Sequence, residues 1–89
     1  SHKIFAFIKG TPSIPRCGFT NQLFIILDEY DISFSTYNIL EDFEMREAIK
    51  LFSNWPTFPQ LYVDSSLIGG IDIVSNLHNT NKLSNIFEN

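Results

Sequence analysis

The sequence contains one cysteine, Cys17. A lone thiol cannot close an internal disulfide, which excludes the disulfide-stapled scaffolds of small secreted domains and fits an intracellular reducing compartment. Nothing in the sequence separates cytosol, mitochondrion and plastid. The chain also lacks a basic excess: six Lys and Arg stand against ten Asp and Glu, a net charge of −4. A nucleic-acid binder of this size would carry a basic stripe, and none is present. Long apolar runs are missing too. The longest, such as Ile4 to Ile8 and Leu23 to Leu27, are five residues, against about 20 for a membrane span. No signal peptide is visible. Ser1-His2, directly ahead of the first apolar run, has the look of a trimmed start to a single domain over residues 1–89.

What is present is globular. Apolar residues make up 44% of the chain and aromatics 15%, with nine Phe among them. A chain of 89 residues has room for one core and buries about 60–65% of its unfolded surface.

The periodicities change along the chain. Ile4 to Ile8 is a continuous apolar run that predicts a buried central strand. Residues 10–16 (GTPSIPR) predict a loop, since two prolines and a glycine interrupt any repeat. From Cys17, the residues Phe19, Leu23, Ile26, Leu27 and Tyr30 fall at helical spacing and predict one apolar stripe. Ser33 to Ile39 predicts a second strand with β-favouring Phe34, Thr36 and Tyr37. Met45, Ala48, Ile49 and Phe52 predict another helical stripe, with Glu44 and Glu47 outward, ended at Asn54-Trp55-Pro56.

Gln60 to Val63 and Ser66 to Ile68, joined at Asp64-Ser65, predict a hairpin. Asp72 is placed to cap a third helix that uses Ile73, Val74 and Leu77. The tail from Lys82 to Phe87 predicts a last helical turn. The order βαβαββα implies an α/β domain with a four-stranded mixed sheet, its first two strands parallel through a crossover helix.

Chemistry concentrates at Cys17, where a Pro-containing loop meets the start of a helix. The first turn of a helix leaves N–H groups unpaired and carries partial positive charge, which favours a thiolate. The cysteine pKa should therefore fall below about 8.5, with Arg16 pushing the same way. The plain alternative is a buried structural cysteine, the commonest fate of a lone one. A dithiol oxidoreductase needs a second cysteine three residues on, and position 20 is Thr. A redox cycle here must borrow a thiol from solution, and glutathione is the obvious donor.

Lys9-Gly10-Thr11-Pro12 followed by Pro15-Arg16-Cys17-Gly18-Phe19-Thr20 resembles the active-site segment of the monothiol, CGFS-type glutaredoxins. Trp55-Pro56-Thr57-Phe58-Pro59-Gln60 and Gly69-Gly70-Ile71-Asp72-Ile73 resemble that family's second and third signatures. The three span residues 9–73. The resemblance implies a thioredoxin-like fold and a glutathione site, although the family's extra N-terminal helix has no counterpart here.

In that site Lys9 and Arg46 would hold the glycine carboxylate of glutathione, Arg as a planar fork and Lys as a mobile charge. Lys50, one turn from Arg46, reads more simply as a solvated helix charge. The family's cis-proline loop would fall at Phe58-Pro59, with the Phe58 backbone pairing with glutathione as a strand would. Phe19, beside the cysteine, is counted among the contacts. Gly69-Gly70 would let the backbone approach closely, the N–H groups of Ile71 and Asp72 binding the γ-glutamyl carboxylate and the Asp72 side chain its ammonium. Asp72 as an N-cap alone is the simpler reading, and both roles can coexist. His2 and His78 read as unlikely ligands, and Trp55 as a packing residue.

Two functions of different class follow from the resemblance. A 2Fe-2S cluster needs four ligands, typically thiolates. Two chains, each with Cys17 and a bound glutathione, would supply them and form a cluster-bridged homodimer, with BolA-like proteins and cluster acceptors as partners. The alternative is glutathione-dependent thiol–disulfide exchange, in which the family is generally weak. An interaction module without chemistry is a third option, opposed by the set Lys9, Cys17, Arg46 and Asp72. Thr20 stands where the family has Ser, so an extra methyl lies one turn from the cysteine, where it could tighten or crowd a cluster.

Overall fold

The computed structural model describes residues 2–88; Ser1, part of the reading of a trimmed start, and Asn89 lie outside the described residues. Strand β1 (Ile4–Ile8) is followed by helix α1 (Gly18–Leu27), strand β2 (Ser35–Asn38), a 3₁₀ turn (Ile39–Glu41) and helix α2 (Phe43–Ser53). Strands β3 (Gln60–Val63) and β4 (Ser66–Gly69) and helices α3 (Ile71–Asn79) and α4 (Leu83–Glu88) complete the chain. The sheet order is β2-β1-β3-β4, with β1 parallel to β2 and antiparallel to β3, and β3 antiparallel to β4. This is the expected four-stranded mixed sheet, with the apolar first strand in its middle.

Only one face of β1 is sealed. Ile4, Ala6 and Ile8 are at most 5% exposed and meet Leu23, Phe24, Ile26 and Leu27 of α1, Val74 of α3, and Leu83 and Phe87 of α4. Apart from Ala6, each such side chain contributes about 1.5–3 kcal/mol of burial. Phe5 and Phe7 point the other way, half-buried, and Phe7 meets the Tyr62 ring edge-on at 5.7 Å.

Helix α2 lies over that second face and buries no residue. The expected stripe is thus only half engaged: Met45 and Ile49 are half-buried, but Ala48 is exposed and Phe52 is 82% exposed. An open groove of about 360 Å³, lined by Phe5, Phe7, Ile49, Phe52 and Tyr62 among others, separates the helix from the sheet. The ends of α2 are well fixed nevertheless. Asp42 accepts the Met45 N–H at 2.9 Å and the Tyr37 hydroxyl at 2.8 Å, which hold its carboxyl below the usual range. Asn54 closes the helix in the left-handed region at φ 52°.

Four further expectations shift. Phe19, in the first turn of α1, leaves the predicted stripe and is 57% exposed; Tyr30 lies past the helix end, yet packs on Phe87 at 5.2 Å. The second strand is shorter than Ser33–Ile39. Asn38 accepts the Leu40 N–H and turns Ile39 inward in a 3₁₀ turn, while Phe34 stacks on Phe24 at 5.8 Å. Asp72 is not the cap of α3. Extended Gly70 occupies that position and Asp72 is exposed in the first turn, so it feels the helix dipole without closing the helix. Ile73, expected inside, is 41% exposed, with its side chain lying over the Gly69 backbone.

The hairpin turns on Asp64 and Ser65, both at positive φ, as a two-residue turn requires. A register shift between Leu61 and Tyr62 then re-aims β4 into α3. Among the described residues no helix is long and apolar enough to cross a membrane.

Candidate functional site

Strand directions bring the chemistry to one end of the sheet. The last residues of β1 and β2 pair there, Ile8 with Asn38, and β3 enters beside them, with Gln60 opposite Phe7. Helices α1, α2 and α3 all start at this end, from Cys17, Asp42 and Gly70. The N-terminus of α2 is capped by the Asp42 carboxylate, whereas those of α1 and α3 have no side-chain cap and present partial positive charge suited to thiolate and carboxylate groups.

The loop between Lys9 and Cys17 is folded on itself. Thr11 and Ile14 exchange N–H···O bonds at 3.1 Å in both directions, and the Arg16 N–H donates to the Lys9 carbonyl at 2.9 Å. The Asn38 side chain ties the loop to β2 by accepting the Gly10 N–H at 2.9 Å.

Cys17 is the half-buried N-cap residue of α1, one position ahead of the first turn. Burial by itself would raise its pKa. The N–H groups of Thr20 and then Phe19, the charge of Lys9 and the Thr20 hydroxyl outweigh burial and hold the thiol below its ordinary value. None closes a full capping hydrogen bond to the sulfur, so they act mainly as oriented dipoles. The acting cation is Lys9 and not the exposed Arg16, whose Cγ lies beside Gly10. The rate of Cys17 alkylation should therefore reach half its plateau at a pH below that of a free cysteine, since a lowered pKa moves the thiolate fraction to lower pH. A midpoint at or above about 8.5 would show an unassisted sulfur.

Thr20 is fully buried, and its hydroxyl accepts the Lys9 N–H at 3.3 Å. Its methyl is buried with the rest of the side chain. Sequence reasoning weighed the methyl and missed the hydrogen bond, because the partner, Lys9, lies just past the end of β1 on the other side of the loop.

The remaining site residues fall around the same end. Lys9 is half-buried at the end of β1. Arg46, one turn into α2, has its Nε buried with no partner among the described residues. Phe58 is 5% exposed, the Phe58-Pro59 peptide is cis, and Pro59 is buried. Gly70 is buried, Ile71 half-buried and Asp72 exposed. Lys50 pairs with Glu47 at 3.1 Å within α2, the solvated arrangement expected of it. His78, at the opposite end of α3 from Ile71 and Asp72, accepts from or donates to Tyr30 at 2.6 Å and meets Glu29 at 3.2 Å.

Gln60 ends the second signature and starts a strand in the sequence, with no role of its own assigned to its side chain. It is 0% exposed, and its amide donates to the carbonyls of Trp55 at 3.0 Å and Thr57 at 3.3 Å while its oxygen accepts the Tyr62 hydroxyl at 2.9 Å. A polar residue leading an apolar strand was the available signal.

A family model described as Glutaredoxin matches residues 4–68. The chain is 47% identical over 88 residues to "Monothiol glutaredoxin-S11" of Oryza sativa subsp. japonica; the match covers 99% of this chain but 18% of that longer protein. The solution structure of reduced poplar apo GrxS14 superposes with a TM-score of 0.83 at 40% identity, covering 94% of this chain and 77% of that one. A buckwheat glutaredoxin–glutathione complex shares the fold with a TM-score of 0.84 at 19% identity, covering 98% and 77% of the two chains.

Proposed function

We propose, from the premise that this chain belongs to the glutaredoxin family and is a monothiol glutaredoxin, that it binds glutathione beside Cys17 and that two glutathione-bound chains carry a 2Fe-2S cluster. The observation that carries this reading is a single assisted thiol at a helix N-terminus, with a buried Thr where a resolving cysteine would stand. Glutathione complements the positive end of the sheet: its glycine carboxylate suits Lys9 and Arg46, and its γ-glutamyl carboxylate the first N–H groups of α3 at Ile71 and Asp72. The orphaned Arg46 Nε supports a missing anionic partner. Phe19, Phe58, Pro59 and Gly70 would form the walls, and the exposed Asp72 carboxylate would meet the ligand's ammonium.

The donor set fits a shared cluster. Among the described residues no group of three or more His, Cys, Asp or Glu could hold a metal, so this chain offers one thiolate, Cys17. A bound cluster would be cargo for one-electron chemistry or transfer, completed by glutathione and a second chain. BolA-like partners, cluster acceptors and a reducing compartment belong to the same proposal.

The depressed thiol pKa favours a second reading, thiol–disulfide exchange. The Cys17 thiolate would attack the glutathione sulfur of a mixed disulfide, form its own disulfide with glutathione and release the substrate thiolate. A second glutathione thiolate would then free Cys17 and leave as oxidised glutathione.

Glutathione binding is tested by calorimetry on Arg46→Ala and Asp72→Ala. Each removes a charge-assisted contact worth roughly 1.5–3 kcal/mol, so a tenfold or larger weakening is expected. A variant that binds like the parent removes that residue from the site.

A further inference from the structure

We infer that Gln60 is a positioning residue that, through Trp55, holds the two backbone segments of the glutathione site at a fixed spacing. The inference rests on the proposed function for the ligand, and on the structure alone for the brace.

Gln60 uses both ends of its amide in a place without water. The nitrogen has two protons, and both are spent on carbonyls of the loop that precedes β3, at Trp55 and Thr57. The Tyr62 hydroxyl donates to the amide oxygen and thereby fixes which end of the amide faces the loop. A fully buried amide with this set of partners cannot rotate without orphaning at least two polar groups. The loop from Trp55 to Pro59, which includes Phe58, is thus held by a side chain that does not reach the ligand side.

The second half of the brace runs from Trp55 to α3. The indole ring lies against Gly70: a Cβ on Gly70 would sit 3.1 Å from the indole Nε1 and 3.4 Å from the Pro59 carbonyl oxygen. The indole N–H is buried and has no hydrogen-bond partner among the described residues. Its place is therefore set by the Trp55 backbone, which Gln60 anchors, and by contact with the Gly70 backbone. Gly70 is the N-cap residue of α3, next to the N–H groups assigned to the γ-glutamyl carboxylate. Gln60, Trp55 and Gly70 thus form one connected path between the Phe58-Pro59 segment and the start of α3.

Two variants test the brace. Gln60→Met keeps the side-chain length and removes both donors and the acceptor; Trp55→Phe removes the indole edge that meets Gly70 and keeps an aromatic ring. In both, glutathione should bind about tenfold more weakly: Gln60→Met removes buried hydrogen bonds to the loop, and Trp55→Phe removes the packing contact on Gly70, so either leaves the ligand a less ordered site to organise. In the ligand-free protein, the amide resonances of Gly70, Ile71 and Asp72 should shift in Gln60→Met, a residue outside α3, and the Trp55 indole resonance should shift with them. Unchanged affinity together with unmoved Gly70 to Asp72 resonances in either folded variant overturns the brace. If Gln60→Met does not fold, Trp55→Phe decides alone. If the parent fails to bind glutathione but the resonances move as stated, the brace stands and the ligand assignment falls.

Discussion

Replacing Cys17 by Ser is expected to abolish colour and dimer together in protein reconstituted with iron, sulfide and glutathione. The parent should be coloured, dimeric in gel filtration, and carry about one iron and one glutathione per chain, the ratio of a 2Fe-2S cluster shared by two chains with four thiolates. Cys17 is the sole cysteine, so the variant loses half of the sulfur ligands at once and no side chain can replace them. Leaving out glutathione should have nearly the same effect, because the other half then disappears. The two losses must move together. A parent that remains colourless and monomeric, yet briskly reduces glutathione mixed disulfides, would sink the cluster reading and leave thiol–disulfide exchange in its place. Thr20→Ser, by contrast, should change cluster content little, because the methyl it removes is packed inside the protein.

The largest effect expected on stability is from Gly10→Ala. Gly10 sits at φ +99°, a region that an L side chain rarely adopts. A Cβ there would lie 2.5 Å from the Ile14 carbonyl oxygen and 2.6 Å from the Arg16 nitrogen, both backbone atoms of a loop closed by its own hydrogen bonds. Neither can yield without breaking the turn that delivers Cys17 to its cap position. Backbone strain alone costs about 1–3 kcal/mol, and the clash adds to it. A loss of at least about 2 kcal/mol is expected, which lowers Tm by roughly 8–16 °C in a domain of this size. Thermal unfolding followed by circular dichroism measures it; a shift under about 3 °C would mean that the loop re-forms without strain.

The sequence alone carried what depends on neighbours along the chain. Apolar runs and turn residues placed β1, β3 and the Asp64-Ser65 hairpin, because strand formation and two-residue turns are decided over a few residues. The loop of prolines ahead of an amphipathic helix put Cys17 at a helix start, and Thr20 excluded a resolving thiol. Three ordered motifs then carried the family and with it the expected glutathione contacts.

Tertiary structure decided what depends on residues far apart in the chain. Helical spacing could not say that Phe19 faces outward or that α2 leaves Phe52 exposed, because a periodic stripe needs a surface to meet and that face of the sheet is only partly covered. It could not move the cap of α3 from Asp72 to Gly70, since the start of that helix is set by where β4 leaves the sheet, at Gly69, directly before the extended Gly70. Nor could it show that Lys9 and not adjacent Arg16 acts on the sulfur. The role of Thr20 was hidden for the same reason: its hydroxyl meets the Lys9 N–H, just past the end of β1. The Gln60 partners lie within five residues along the chain, but the loop shape that turns two carbonyls onto one buried amide is settled only when the core closes and shuts water out.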